Sequence, residues 1–154
     1  MRALVQKVSK ASVSINGETI GAIGLGLVVL IGVSKTDDEA DARYLVKKVS
    51  NLRIFADDTN HFNLSSLDIK AELLVVSQFT LYGDTRKGRR PDFNRAASSD
   101  DARRLYDCTV SMFQETGLTV ATGRFQEHMV ISLQNDGPVT LMLDSSDRQK
   151  PRRG

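Results

Sequence analysis

The stretch "SQFTLY", residues 77–82, ends an apolar run, "ELLVV", with three side chains able to do chemistry: Ser77, Gln78 and Thr80. Two hydroxyls and a carboxamide can orient a polar ligand or a water, but none of them is a base at neutral pH. If the strand alternation continues, Ser77, Phe79 and Leu81 share one face and Gln78, Thr80 and Tyr82 the other. Two readings follow. One is a strand leaving the core with its polar side outward; the other is a strand end that presents hydroxyls, an amide and backbone N–H groups to a ligand. Conventional side-chain catalysis is poorly supplied elsewhere. The only histidines, His61 and His128, have no partner nominated by the sequence, and a general base needs one within reach. The one cysteine, Cys108, reads as a small apolar residue of a helix and leaves no zinc-type cluster, so no metal is expected. Walker A, GxGxxG and GxSxG patterns are all absent.

A second unusual segment is "NDGPVT", residues 135–140, whose first four residues, Asn135-Asp136-Gly137-Pro138, join the strand-like runs 129–133 and 139–143. Asn-Asp-Gly suits a hairpin turn because these residues tolerate positive φ. Pro138 is the odd member, since it has no N–H for a ladder just where the second strand should begin. It reads either as ordinary turn punctuation or as a device for fixing the neighbouring backbone.

The net charge of +2 hides a segregation: residues 83–95, "GDTRKGRRPDFNR", and the tail, "SSDRQKPRRG", each carry +3, so the remainder is acidic. Basic segments on an otherwise acidic chain suit a polyanion. A solvated loop and a frayed tail are the plainer alternatives.

These residues must be positioned by one domain, residues 1–145, followed by a basic and disordered tail, 146–154. At 154 residues with 40% apolar content, the chain can bury a core without disulfides or metals. No apolar run is long enough to span a bilayer and no secretory signal opens the chain, so a cytoplasmic location is expected. "ALVQKV" alternates like a half-buried strand, Asn16-Gly17 signals a hairpin, and "GLGLVVLIGV" reads as a buried strand. Thr36-Asp37-Asp38-Glu39 reads as a capping box opening a helix to about Leu52. A second helix from Ser98 or Ser99 buries Ala102, Leu105, Tyr106, Thr109, Met112 and Phe113, and ends at Gly117. Roughly seven strands and two main helices, without the βαβ alternation of a doubly wound fold, predict α+β architecture. Its sheet should be mainly antiparallel and strongly curved, or barrel-like.

Taken together, "SQFTLY" and "NDGPVT" resemble the D-aminoacyl-tRNA deacylase family. So do "MRALVQKVSKASVSINGE", "RIFADD", "RPDFNRAA" and "GRFQEHM", collinear from Met1 to about Ser145. The resemblance implies a homodimeric enzyme that needs no cofactor, does not act on DNA or membranes, and hydrolyses the ester joining a D-amino acid to the 3′ ribose of tRNA. It implies that Gly137-Pro138 is cis and enters the partner's active site, where its carbonyl oxygens exclude L-aminoacyl groups. Glycyl-tRNA, with no side chain to exclude, should then be cleaved too.

An activated ester with a neighbouring 2′-OH asks mainly for orientation and an oxyanion site. On this reading the backbone of Phe79 and Thr80 supplies that site, and Ser77 and Gln78 position the terminal adenosine and ester. Thr80 as a nucleophile is the competing role. Arg86, Lys87, Arg89 and Arg90 would neutralise acceptor-stem phosphates without reading sequence, and Phe93 would close the adenosine pocket or pack at the dimer contact. This chain departs from its relatives at Lys7, where Arg is common, at Gln126 and Glu127, where small residues are usual, and at Asp92, where Ser is frequent. An RNA-binding module without catalysis and a hydrolase of free D-amino-acid esters are the rival classes. Which D-amino acids or tRNAs are preferred does not follow from the sequence.

Overall fold

In a computed structural model, residues 1–151 are described. The final three positions of the expected disordered tail, 152–154, lie outside the described residues. The chain runs β1 (Arg2–Ile15), β2 (Glu18–Ile23), β3 (Gly26–Gly32), α1 (Glu39–Asn51), β4 (Phe55–Ala56), β5 (Phe62–Leu64), α2 (Ser66–Ile69) and β6 (Glu72–Ser77). A 3-10 turn (Phe79–Tyr82), α3 (Ser99–Glu115), β7 (Val120–Thr122), β8 (Val130–Asp144) and a second 3-10 turn (Ser145–Gln149) complete it.

The architecture is α+β, as the sequence predicts, but the main sheet is mixed rather than mainly antiparallel. β1 pairs antiparallel with β2, β3 and β8, whereas β3–β6 and β6–β7 are parallel. The reason lies in the connections: α1 bridges β3 to β6 and α3 bridges β6 to β7, and crossovers of that length return the chain in the same direction. Two βαβ units are therefore present after all. "GLVVLIG" and "ELLVVS" fit this placement, because a parallel strand covered on both faces needs a continuous apolar run rather than alternation. Leu27, Val29, Ile31, Leu73 and Val75 face α1 and α3, in one core with Leu45, Leu105 and Phe113. Val28, Leu74 and Val76 face the other way, into a smaller core with Val8, Val13 and Ile23. That second core is the interior of a barrel-like curl. At the close approach of β2 to β7, a Cβ on Gly21 would stand 3.0 Å from the Thr122 carbonyl oxygen.

Helix ends follow their signals with one shift. The capping box of α1 is Asp38 with Asp41, two residues later than Thr36–Glu39, while α3 starts at Ser99 behind its Ser98 cap as expected. α2, a single turn, adds a third helix. At the far end, Arg148 Nε donates to Asp41 Oδ1 at 3.3 Å, which ties the Ser145–Gln149 turn to α1.

The two runs expected at 129–133 and 139–143 fall in one strand, β8 (Val130–Asp144), not in a hairpin. Both apolar runs pair with β1 in the same direction, Asn135 opposite Val8 and Thr140 opposite Gln6, so the intervening Asp136–Val139 is looped out as a wide bulge. Asn-Asp-Gly-Pro here makes a protrusion from a strand that then resumes.

Candidate active site

β6 ends at Ser77, and its alternation stops there. The chain tightens at Phe79–Tyr82 into a 3-10 turn, so Phe79 and Thr80 are exposed while Tyr82 is buried. The turn is fixed from below. The Gln78 N–H donates to the Ile31 carbonyl at 2.8 Å, and Arg2 Nη1 donates to the Leu81 carbonyl at 2.9 Å. The Arg2 guanidinium lies 4.7 Å from the Tyr82 ring centre, and burial pushes the Tyr82 phenol up to about 12, so it stays neutral. At the start of the turn the Phe79 and Thr80 N–H groups have no acceptor among the described residues, the usual condition of the first donors of a helix. They are free to meet a developing oxyanion.

This turn forms one wall of a cavity of about 630 Å³. Ser77, Gln78 and Phe79 line it, facing Ala97 and Ala102 from the α3 side and Phe125 and Met129 from the β7–β8 connection. Thr80 is not part of the lining. Its hydroxyl meets the Gln78 carboxamide, Nε2 to Oγ1, in a short contact, so the group beside it is a donor rather than a base. Phe93 stacks edge-on against Phe79 at 5.0 Å, which brings the "RPDF" segment to the cavity's edge. The opposite wall is "GRFQEHM". Gln126 adopts a positive φ of 62° and donates from Nε2 to Ser99 Oγ at 2.7 Å, holding the connection to the start of α3. His128 also lines the cavity, whereas His61 sits in the Asp57 turn, with Nδ1 2.9 Å from Thr59 Oγ1. The position of "GRFQEHM" opposite "SQFT" has no periodic signal in the sequence; only the resemblance marks that segment.

Gly137 and Pro138 are elsewhere. The bond between them is cis, and both residues are exposed on the looped-out segment of β8. Ile131 lines the cavity, but the loop begins five residues further along the strand, roughly 17 Å away at the rise of an extended chain. Asn135 clamps the loop's base: its Oδ1 accepts from the Val139 N–H at 3.1 Å, and its Nδ2 donates to the Val139 carbonyl and Thr140 Oγ1, both at 3.2 Å. Lys7 Nζ lies 3.6 Å from Asp136 Oδ2 and 5.6 and 5.8 Å from the Phe55 and Phe62 ring centres. The Lys7 ammonium therefore holds the flank of this loop.

The basic segment forms its own surface pocket, lined by Asp84, Arg86, Lys87, Arg90, Pro91 and Asp92 and closed by paired backbone bonds between Asp84 and Asp92 of 2.7 and 2.8 Å. Its charges are not equivalent. Arg86 is engaged with Asp84 through Nε at 2.9 Å, and this side-chain bond holds the Asp84 carboxyl down to about 2. Lys87, Arg89 and Arg90 are exposed and make no ion pair among the described residues. Asp92 accepts from the Asn94 backbone and carboxamide at 2.6 and 2.7 Å, a turn-forming role. Among the described residues no group of three or more His, Cys, Asp or Glu could hold a metal, and no helix is long and apolar enough to cross a membrane.

Comparison with known proteins adds four findings. The D-Tyr-tRNA(Tyr) deacylase family model matches residues 4–144. A Heliobacterium modesticaldum protein named D-aminoacyl-tRNA deacylase is 56% identical over 144 residues, 94% of this chain and 96% of its own length. One of the same name from Dehalococcoides mccartyi is 54% identical over 153 residues, 99% of this chain and 100% of its own. A solved structure titled "c-Myc DNA Unwinding Element Binding Protein" superposes with a TM-score of 0.89 at 40% identity, covering 94% of this chain and 98% of that one.

Proposed function

This chain belongs to the D-Tyr-tRNA(Tyr) deacylase family, and from that membership we propose that it hydrolyses the ester of D-aminoacyl-tRNA in the cytoplasm, releasing the D-amino acid and free tRNA. The observation that carries the reading is the cavity between "SQFT" and "GRFQEHM". It brings together two of the segments that carry the resemblance, in a space suited to a terminal adenosine with its aminoacyl group.

Ser77 and Gln78 position the adenosine and ester. Water adds to the ester carbonyl, the resulting oxyanion is met by the Phe79 and Thr80 N–H groups, and collapse expels the 3′ oxygen, which takes up a proton. The ribose 2′-OH beside the ester assists. Thr80 serves through its backbone, in keeping with a hydroxyl whose neighbour is an amide donor.

Selection against L-aminoacyl groups falls to Gly137 and Pro138 of a second copy. Support comes from position: Gly137 and Pro138 are exposed and do not line their own chain's cavity, which leaves the loop available to a partner's site. β8 pairs only with β1 among the described residues. Its other edge, with Val130 and Met142 more than half exposed, suits a second copy. The active form is thus a homodimer with sites at the interface. Exclusion by main-chain oxygens leaves glycine unrejected, so glycyl-tRNA(Ala) is a substrate as well. Lys87, Arg89 and Arg90 meet acceptor-stem phosphates, with Arg86 contributing less.

The test is deacylation of D-tyrosyl-tRNA, L-tyrosyl-tRNA and D-tyrosine ethyl ester at equal enzyme. The reading expects the first cleaved, the second spared and the third a poor substrate. A preference for the free ester would point to a small-molecule hydrolase, and cleavage of none to an RNA-binding module.

A further inference from the structure

Behind the cavity's "GRFQEHM" wall lies a second cleft of about 360 Å³, and Phe125 and Glu127 line both. Arg103, Tyr106, Asp107 and Val110 form one side, at the 0, 3, 4, 7 spacing of a single helix face; Thr122, Gly123 and Arg124 form the other. The Arg103 guanidinium lies 5.0 Å from the Phe125 ring centre, and Tyr106 lies 6.0 Å from the same ring at a 35° tilt. Tyr106 is itself held by donating to the Val75 carbonyl at 2.8 Å. Neither Arg103 nor Arg124 takes part in an ion pair among the described residues, unlike Arg86.

Resting on the reading above, we infer that this cleft binds the nucleotide preceding the terminal adenosine of the single-stranded tRNA 3′ end. Arg103 and Arg124 hold its phosphate, and the Phe125 segment separates it from the adenosine. The chemistry is that of unpaired RNA. Two free guanidiniums suit one phosphate, and an arginine–aromatic surface accepts a splayed base. Asp107 and Glu127 offset the positive charge, so the cleft is not a general polyanion surface. Their carboxylates suit a base edge bearing an exocyclic amine, as cytosine has. The two cavities meet on one peptide segment, so a strand with its last residue in the first has its penultimate residue at the second.

The experiment uses the full chain and two probes: a fluorescein-labelled RNA hexamer ending in cytidine-cytidine-adenosine, and a pair of substrates, D-tyrosyl-tRNA and 3′-(D-tyrosyl)adenosine, the latter lacking the upstream phosphate. Arg103→Gln and Arg124→Gln should each weaken hexamer binding several-fold and lower the salt slope of binding by about one. Each should also depress the ratio of kcat/KM for D-tyrosyl-tRNA to that for D-tyrosyl-adenosine, while Arg104→Gln on the neighbouring exposed position changes neither. Unchanged hexamer affinity in both variants, an unchanged substrate ratio, or no hexamer binding by the wild type would overturn the inference. Arg103-dependent hexamer binding by a wild type that cleaves no aminoacyl-tRNA would leave the cleft standing and remove the proposed activity instead.

Discussion

Asn135→Ala separates the loop from the cavity most cleanly. The Asn135 side chain makes three hydrogen bonds across the base of the bulge, two to Val139 and one to Thr140. It is half-buried, so each bond lies toward the low end of the ~0.5–1.5 kcal/mol net contribution of a neutral pair, about 1–2 kcal/mol for the set. For a chain of this size that corresponds to a fall in Tm of roughly 3–6 °C, which leaves the protein folded at 25 °C. Asn135 lies well away from the cavity of its own chain, so a purely structural role predicts no kinetic change beyond that small loss. If the loop judges handedness in a partner's site, the freed Asp136–Val139 segment no longer holds its carbonyl oxygens in place. The rate on D-tyrosyl-tRNA should then fall about tenfold, the ~1.4 kcal/mol equivalent of the lost clamp, and discrimination against L-tyrosyl-tRNA should narrow. The assay is single-turnover deacylation of both substrates beside a thermal melt. A melt shifted as stated with the D-to-L rate ratio unchanged would refute the reasoning.

Thr80→Ala should retain substantial deacylation, measured by release of labelled D-tyrosine; complete loss with undiminished tRNA binding would make the hydroxyl the nucleophile. Replacing Lys87, Arg89 and Arg90 together with Gln should raise KM for D-aminoacyl-tRNA and flatten its dependence on salt, more so than Arg86→Gln, because Asp84 already engages Arg86. Asp57 accepts hydrogen bonds from Thr59, the His61 N–H and Asn63, and its carboxyl is held down to about 2, first by the Thr59 hydroxyl. Its folded-state value lies below the unfolded one, so its stabilisation is full above about pH 4 and is lost as pH falls toward 2. The acid limb of a denaturation-against-pH profile should therefore be shallower for Asp57→Asn.

Much of the fold was legible in the sequence because its signals are local. Ser98 and the buried face of Leu105, Tyr106, Thr109 and Phe113 place α3 to within a residue, and the run 26–32 identifies the buried β3. Strand direction was not legible. Parallel pairing of β3 with β6 depends on a crossover through α1, and nothing in "GLVVLIG" distinguishes it from an antiparallel neighbour. The same holds for 135–139. Turn-forming residues mark where a strand is interrupted, but whether the chain reverses or resumes is decided by β1, which pairs with both halves. "SQFT" was conspicuous as polar residues at an apolar strand's end, though its alternation gave way to a 3-10 turn fixed by Arg2 from the other end of the chain. Phe125 and Met129 as facing walls, and the Arg103–Phe125 stack, are tertiary juxtapositions with no periodic signal.

Complementation between two impaired variants tests the central claim most directly. Gly137 has a φ of +124°, and a Cβ there would stand 2.8 Å from Val139 Cγ2, so Gly137→Ala disturbs the loop; Gln78→Ala impairs the cavity. Co-expressed, half the dimers are mixed and one of their two sites is intact if loop and cavity come from different protomers, so D-tyrosyl-tRNA deacylase activity should return to about a quarter of wild type. A mixture no more active than the mean of the two variants alone would contradict the account.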